Sequence, residues 1–102
     1  MSEAKHPDLG LSFAIPNAAR RGPALAFWMK AEGMRAGVPD WCLPVPRGSY
    51  AGLWIEFKRP GGKLSDAQKV YGDMLQGHGH FVDVCLSAQA AIELVKWYLA
   101  QD

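Results

Sequence analysis

Two carboxylates and a lysine stand at spacings that suit phosphodiester hydrolysis: Asp40 behind a Gly37-Val38-Pro39 turn, then Glu56 and Lys58 with one residue between them. Cutting a phosphodiester takes a nucleophilic water, neutralisation of charge on the phosphorus oxygens and help for the leaving alkoxide. A hard cation supplies most of this. Mg²⁺ binds carboxylate oxygens, waters and the substrate phosphate, so two protein carboxylates are chemically sufficient, and Asp40 and Glu56 can provide them. In a strand, Lys58 leaves the same face as Glu56 roughly 7 Å further on, where it can orient the attacking water and stabilise transition-state charge. Strand geometry also leaves the Phe57 carbonyl as an extra oxygen ligand. Taken alone, a Glu-x-Lys pair on an exposed antiparallel strand reads as two ordinary surface residues. What outweighs that reading is the combination: Gly-Val-Pro-Asp, fifteen residues, Glu-Phe-Lys, nine residues, then Gln68 at the head of a helix.

The elements that must position these residues can be read from periodicity and punctuation. Leu11 to Ile15 alternates weakly and stops at Pro16-Asn17, which predicts a short edge strand and a turn. Arg20 and Arg21 follow in a loop. Gly22-Pro23 opens a helix with proline at its first position, and Ala24 to Glu32 continue it until Gly33 and Gly37. Trp41 to Val45 reads as a strand, with Pro46-Arg47-Gly48 as a hairpin-like turn into the next strand, Gly52 to Arg59. There the period of two separates Leu53, Ile55 and Phe57 from Trp54, Glu56 and Lys58. Pro60-Gly61-Gly62 reads as a mobile turn. Ser65-Asp66-Ala67-Gln68 is a capping box that starts a helix to about Gln76, broken by Gly77-His78-Gly79. His80 to Leu86 reads as a third core strand, and Ser87 begins a last helix with Ile92, Val95 and Leu99 on one apolar face. Strand, helix, strand, strand, helix, strand, helix implies an α/β fold, a sheet flanked by helices, without internal repeat or linker.

With 102 residues and 49% apolar content, the chain has the size and balance of a single domain spanning residues 1–102 with one core. A domain this small gains from pairing with a second copy. No stretch approaches the roughly 18 apolar residues of a membrane helix, and Met1 to His6 lack the order of a signal peptide, so a soluble, cytoplasmic protein is expected. Cys42 and Cys85 lie in apolar strands without CxxC spacing and read as buried, reduced thiols. The net charge of +1 hides a segregation: residues 1 to 69 hold ten Lys and Arg against six acids, a balance of +4, whereas residues 70 to 102 hold Lys96 against four acids, a balance of -3. The basic charge lies in the part that carries the candidate site.

Gly37-Val38-Pro39-Asp40, Ile55-Glu56-Phe57-Lys58 and Leu64-Ser65-Asp66-Ala67-Gln68 resemble the motifs of the VRR-NUC domain, a branch of the PD-(D/E)XK nuclease superfamily. The likeness runs from about Leu11 through Tyr98 and includes Ile15-Pro16-Asn17. It implies a restriction-endonuclease-like mixed sheet flanked by helices, a Mg²⁺ or Mn²⁺ site at Asp40, Glu56 and the Phe57 carbonyl, and catalytic roles for Lys58 and Gln68. It also implies a DNA substrate. Stand-alone members of the family are homodimers acting on four-way DNA junctions, and this chain looks like that kind, with no organic cofactor. Family members often have an earlier helix whose Glu approaches the metal; here Glu3 is a poor substitute, and Glu32 reads rather as a solvent-facing helix residue.

Other residues admit two readings. Gln68 closes a capping box as well as standing where the family places a catalytic residue. Asn17, Arg20, Arg21, Arg35, Arg59 and Lys63 are each ordinary solvated residues taken singly, yet together they would make a basic rim for phosphate contacts. His78 and His80, without a neighbouring carboxylate, read as structural or exposed rather than as metal ligands. Trp28, Trp41 and Trp97 fit the core or a dimer interface, while Trp54 shares a face with Glu56 and packs beside DNA or a helix. No recognition helix with clustered basic and amide side chains is legible, so DNA shape and phosphate position should set specificity. The alternative to an enzyme is a module that binds DNA structure without cutting.

Overall fold

The computed structural model describes residues 6–16 and 36–102. The helix expected from Gly22 to Glu32, the loop with Arg20 and Arg21, and Glu3, Asn17, Trp28 and Arg35 lie outside the described residues. The elements within them are a 3-10 helix Pro7–Leu11, strands β1 (Phe13–Ala14), β2 (Trp41–Leu43) and β3 (Leu53–Phe57), helix α1 (Asp66–Gly77), strand β4 (Phe81–Cys85) and helix α2 (Ala88–Leu99). The described strands form one sheet in the order β1-β2-β3-β4. The β1/β2 and β2/β3 pairs are antiparallel and β3/β4 is parallel, so the sheet is mixed and the fold is α/β. A parallel pair needs a crossover, and α1 is that crossover.

Two boundaries differ from the expectations for local reasons. Leu11 is the last residue of the 3-10 helix, whose exit is held by the Ser12 hydroxyl donating to the Leu9 carbonyl at 2.7 Å, so β1 starts only at Phe13. β2 stops at Leu43 because Pro44 has no N–H to give the ladder. The turn after β3 is closed by a backbone hydrogen bond: the Gly62 N–H donates to the Arg59 carbonyl at 2.9 Å, with Pro60 and Gly61 (φ +83°) at the corner. Proline followed by a positive-φ glycine is the residue choice of a type II turn.

The core lies between one sheet face and α2. Leu43, Leu53, Ile55 and Cys85 from the strands meet Ala91, Val95 and Tyr98, which recur at helical spacing on α2. Each fully buried aliphatic side chain contributes roughly 1.5–3 kcal/mol. Tyr98, wholly buried, satisfies its hydroxyl by donating to the Val45 carbonyl at 2.7 Å. Cys42 and Cys85 are buried free thiols, as their apolar setting predicts. Trp41 packs against this core from its margin, and Trp97 is half-exposed on Phe81, with ring centroids 5.1 Å apart.

Candidate active site

Asp40 immediately precedes β2, whose first residue Trp41 pairs with Ile55, so Asp40 meets the sheet beside Glu56. Its own N–H donates to the Ile55 carbonyl at 3.0 Å, and its Oδ2 accepts the Phe57 N–H at 2.8 Å. The alternation expected for β3 holds. Leu53 and Ile55 enter the α2 core, whereas Glu56 turns to the α1 side and is only 3% exposed. The reading of Glu56 as a solvated surface residue is thereby ruled out. Asp40 is buried as well. Lys58 extends the ladder one residue past β3, its N–H donating to the Cys85 carbonyl at 3.1 Å, and therefore follows Glu56 on the same face. Its stem runs beside Gly62, where an added Cβ would lie 3.5 Å from the Cβ of Lys58.

Gln68 closes the capping box and also reaches Glu56. Its Oε1 accepts the Ser65 N–H at 2.8 Å and its N–H donates to Ser65 Oγ at 3.1 Å, completing the capping box of α1. Its Nε2 meanwhile donates to Glu56 Oε1 at 3.0 Å. The helix start is thus bonded to the strand carboxylate. A cleft of about 310 Å³ opens beside these two residues, bounded by Pro39, Leu64, Gly72 and Val82.

Gly37, read from the sequence as a helix stop and as the first residue of the Gly-Val-Pro-Asp motif, makes a contact that sequence reasoning missed. It has φ +87°, and a Cβ there would lie 2.3 Å from the Ala67 carbonyl oxygen and 2.9 Å from the Gln68 nitrogen. Only glycine lets the Asp40 turn touch the first turn of α1. The signal available was a glycine three residues before a candidate ligand.

The other candidates divide. Arg59 and Lys63 are exposed in the segment that follows Lys58. Asn17, Arg20, Arg21 and Arg35 lie outside the described residues. Trp54 lies against His80: its Nε1 donates to His80 Nδ1 at 3.0 Å, with the rings edge to face. His78 caps α1 and is exposed. Among the described residues no group of three or more His, Cys, Asp or Glu side chains gathers as a metal cluster. Asp40 and Glu56 are two carboxylates, and with the Phe57 carbonyl they would offer an all-oxygen donor set. Hard oxygen donors from a partly protein-made shell fit Mg²⁺ or Mn²⁺ and do not fit a soft thiophilic ion.

A mixed sheet with a buried Asp-Glu pair, a following lysine and a helix start bonded to the glutamate defines a nuclease-type α/β domain. The model of the VRR-NUC domain matches residues 5–89, and the chain belongs to that family. A solved structure of a VRR-NUC domain protein is similar over 90% of this chain and 71% of its own, at 28% identity and a TM-score of 0.73. No curated protein matches the sequence. VRR-NUC is a nuclease domain, so nuclease-type processing of DNA is the function the family defines. No helix among the described residues is long and apolar enough to cross a membrane.

Proposed function

We propose that this chain is a divalent-metal-dependent endodeoxyribonuclease of the cytoplasm that works as a homodimer on branched DNA, four-way junctions in particular. The observation that carries the reading is the burial of Asp40 and Glu56 side by side on one sheet face, with Gln68 bonded to Glu56 at 3.0 Å. Burying two carboxylates costs several kcal/mol unless hydrogen bonds and opposite charge compensate them. A bound cation would add opposite charge there, and would supply the activation of water and the neutralisation of the scissile phosphate that hydrolysis requires. Asp40, Glu56 and the Phe57 carbonyl would hold Mg²⁺ or Mn²⁺. Lys58, on the same face, orients the nucleophilic water and stabilises charge on the phosphorus oxygens; Gln68 holds the Glu56 carboxylate. Arg59 and Lys63 hold phosphates along the approach. A two-fold dimer presents two such sites in the symmetry of a four-way junction.

The test is cleavage of labelled four-way junction, flap and plain duplex DNA with Mg²⁺, Mn²⁺ or EDTA, beside Lys58→Ala. Paired, metal-dependent cuts in the junction that the substitution abolishes are the expected result. Binding of the junction without cleavage under either metal would overturn the assignment and leave a non-cleaving DNA-binding module.

A further inference from the structure

The side-chain amide of Gln68 is held at both ends by groups that tolerate one orientation only. The Ser65 backbone N–H can donate but not accept, and it faces the amide at 2.8 Å. The Glu56 carboxylate accepts, and it faces the amide at 3.0 Å from the other side. Oxygen toward Ser65 and nitrogen toward Glu56 satisfies both; a flipped amide would set oxygen against oxygen and N–H against N–H. Helix capping and carboxylate orientation are therefore one hydrogen-bond chain, Ser65 to Gln68 to Glu56. Gly37 presses the Asp40 turn onto the same helix start, 2.9 Å from the Gln68 nitrogen when a Cβ is placed on it, so the chain has little room to shift.

We propose that Ser65 is a positioning residue of the metal site: its backbone N–H fixes the Gln68 amide so that the nitrogen, and not the oxygen, meets Glu56. This rests on the reading of Glu56 as a metal-binding carboxylate. Without the Ser65 N–H the amide is anchored at Glu56 alone and is free to swing, so its nitrogen no longer fixes the carboxylate in the geometry that binds a cation.

Ser65→Pro removes that N–H, together with the Oγ that accepts the Gln68 N–H, while keeping the backbone, since Ser65 already sits at φ -70° and ψ 164°, and Ser65→Ala removes the Oγ alone as its comparator. Ser87→Ala is the control for helix capping as such, because Ser87 Oγ accepts the Ala90 N–H at 3.0 Å at the start of α2, away from Glu56. Mn²⁺ affinity by calorimetry and thermal melting are measured on the whole chain. Ser65→Pro should weaken Mn²⁺ binding about tenfold, whereas Ser87→Ala should lower Tm and leave Mn²⁺ affinity within about twofold. Equal Mn²⁺ affinity in Ser65→Pro and the unaltered protein would overturn the proposal. If Ser65→Pro does not fold, an ester in place of the Leu64–Ser65 amide removes the same N–H alone and is judged by the same criterion. A second readout needs no metal: Glu56→Gln should shift the Gln68 side-chain NH₂ resonances in the unaltered background and not in Ser65→Pro. A shift of the same size in both backgrounds would sink the proposal. Failure of the unaltered protein to bind Mn²⁺ would instead remove the metal-site reading, so the two failures are told apart.

Discussion

The Asp40 carboxylate accepts the backbone N–H of Phe57 at 2.8 Å, so the residue proposed to bind a cation also ties the start of β2 to the end of β3. The two duties separate by substitution. Asp40→Asn keeps an oxygen for the Phe57 N–H but loses the charge; it should fold with nearly unchanged Tm and cut DNA at least about 100-fold more slowly. Asp40→Ala loses both, and leaving the N–H unmatched should cost a further 1–3 kcal/mol, roughly, read as a lower denaturation midpoint. Equal destabilisation by the two variants would contradict the tie.

Lys58 is assigned to charge developing on the phosphate and not to holding the cation. Lys58→Met, which keeps the apolar stem beside Gly62, should reduce single-turnover cleavage by about 10²–10³-fold. Mn²⁺ affinity measured by calorimetry should stay close to that of the unaltered protein. A comparable loss of Mn²⁺ binding would make the lysine a prop for the carboxylates instead.

Gly37→Ala should damage the site through the backbone. The new Cβ would lie 2.3 Å from the Ala67 carbonyl oxygen at a backbone φ of +87°. The left-handed conformation alone costs about 1–2 kcal/mol, and displacing α1 adds to it. The expected outcome is a lower Tm together with reduced cleavage, with amide shift changes centred on residues 65–68.

Alkaline pH should destabilise the fold before it denatures a typical surface. Burial pushes the Cys42 thiol up from its ordinary 9.0 to about 11, while an unfolded chain ionises it at the ordinary value. A pKa raised in the folded state gives stability that is complete below pH 9 and lost as pH rises toward 11, worth up to about 2–3 kcal/mol. Urea midpoints followed from pH 8 to 10.5 should fall, and Cys42→Ala, although less stable at pH 8, should flatten that fall. Burial raises Cys85 and Tyr98 too, so some slope should persist.

What the sequence disclosed depended on how local each cause was. The faces of β3 followed from alternation, because Leu53, Glu56 and their neighbours obey a period fixed by the backbone. The start of α1 followed from Ser65 and Gln68, since both partners of the capping box lie within one turn. The strand ends were set by single residues, Pro44 among them, whose weight against an apolar run could not be judged in advance. Farther contacts were not legible. Nothing in the spacing of Gly37 and Ala67 announces that their backbones touch, and nothing near Trp54 names His80 as its acceptor. The bond from Gln68 to Glu56 needed the fold that brings the start of α1 to β3.

The division of β3 into an apolar side and a chemical side makes activity a reporter of strand alignment. A slip of one residue against β2 or β4 would exchange the two sides, driving Glu56 into the space of Ile55 and lifting Ile55 toward the cleft. Such a molecule would lose its core and its carboxylate pair together. A slipped molecule would therefore be inert rather than of intermediate rate.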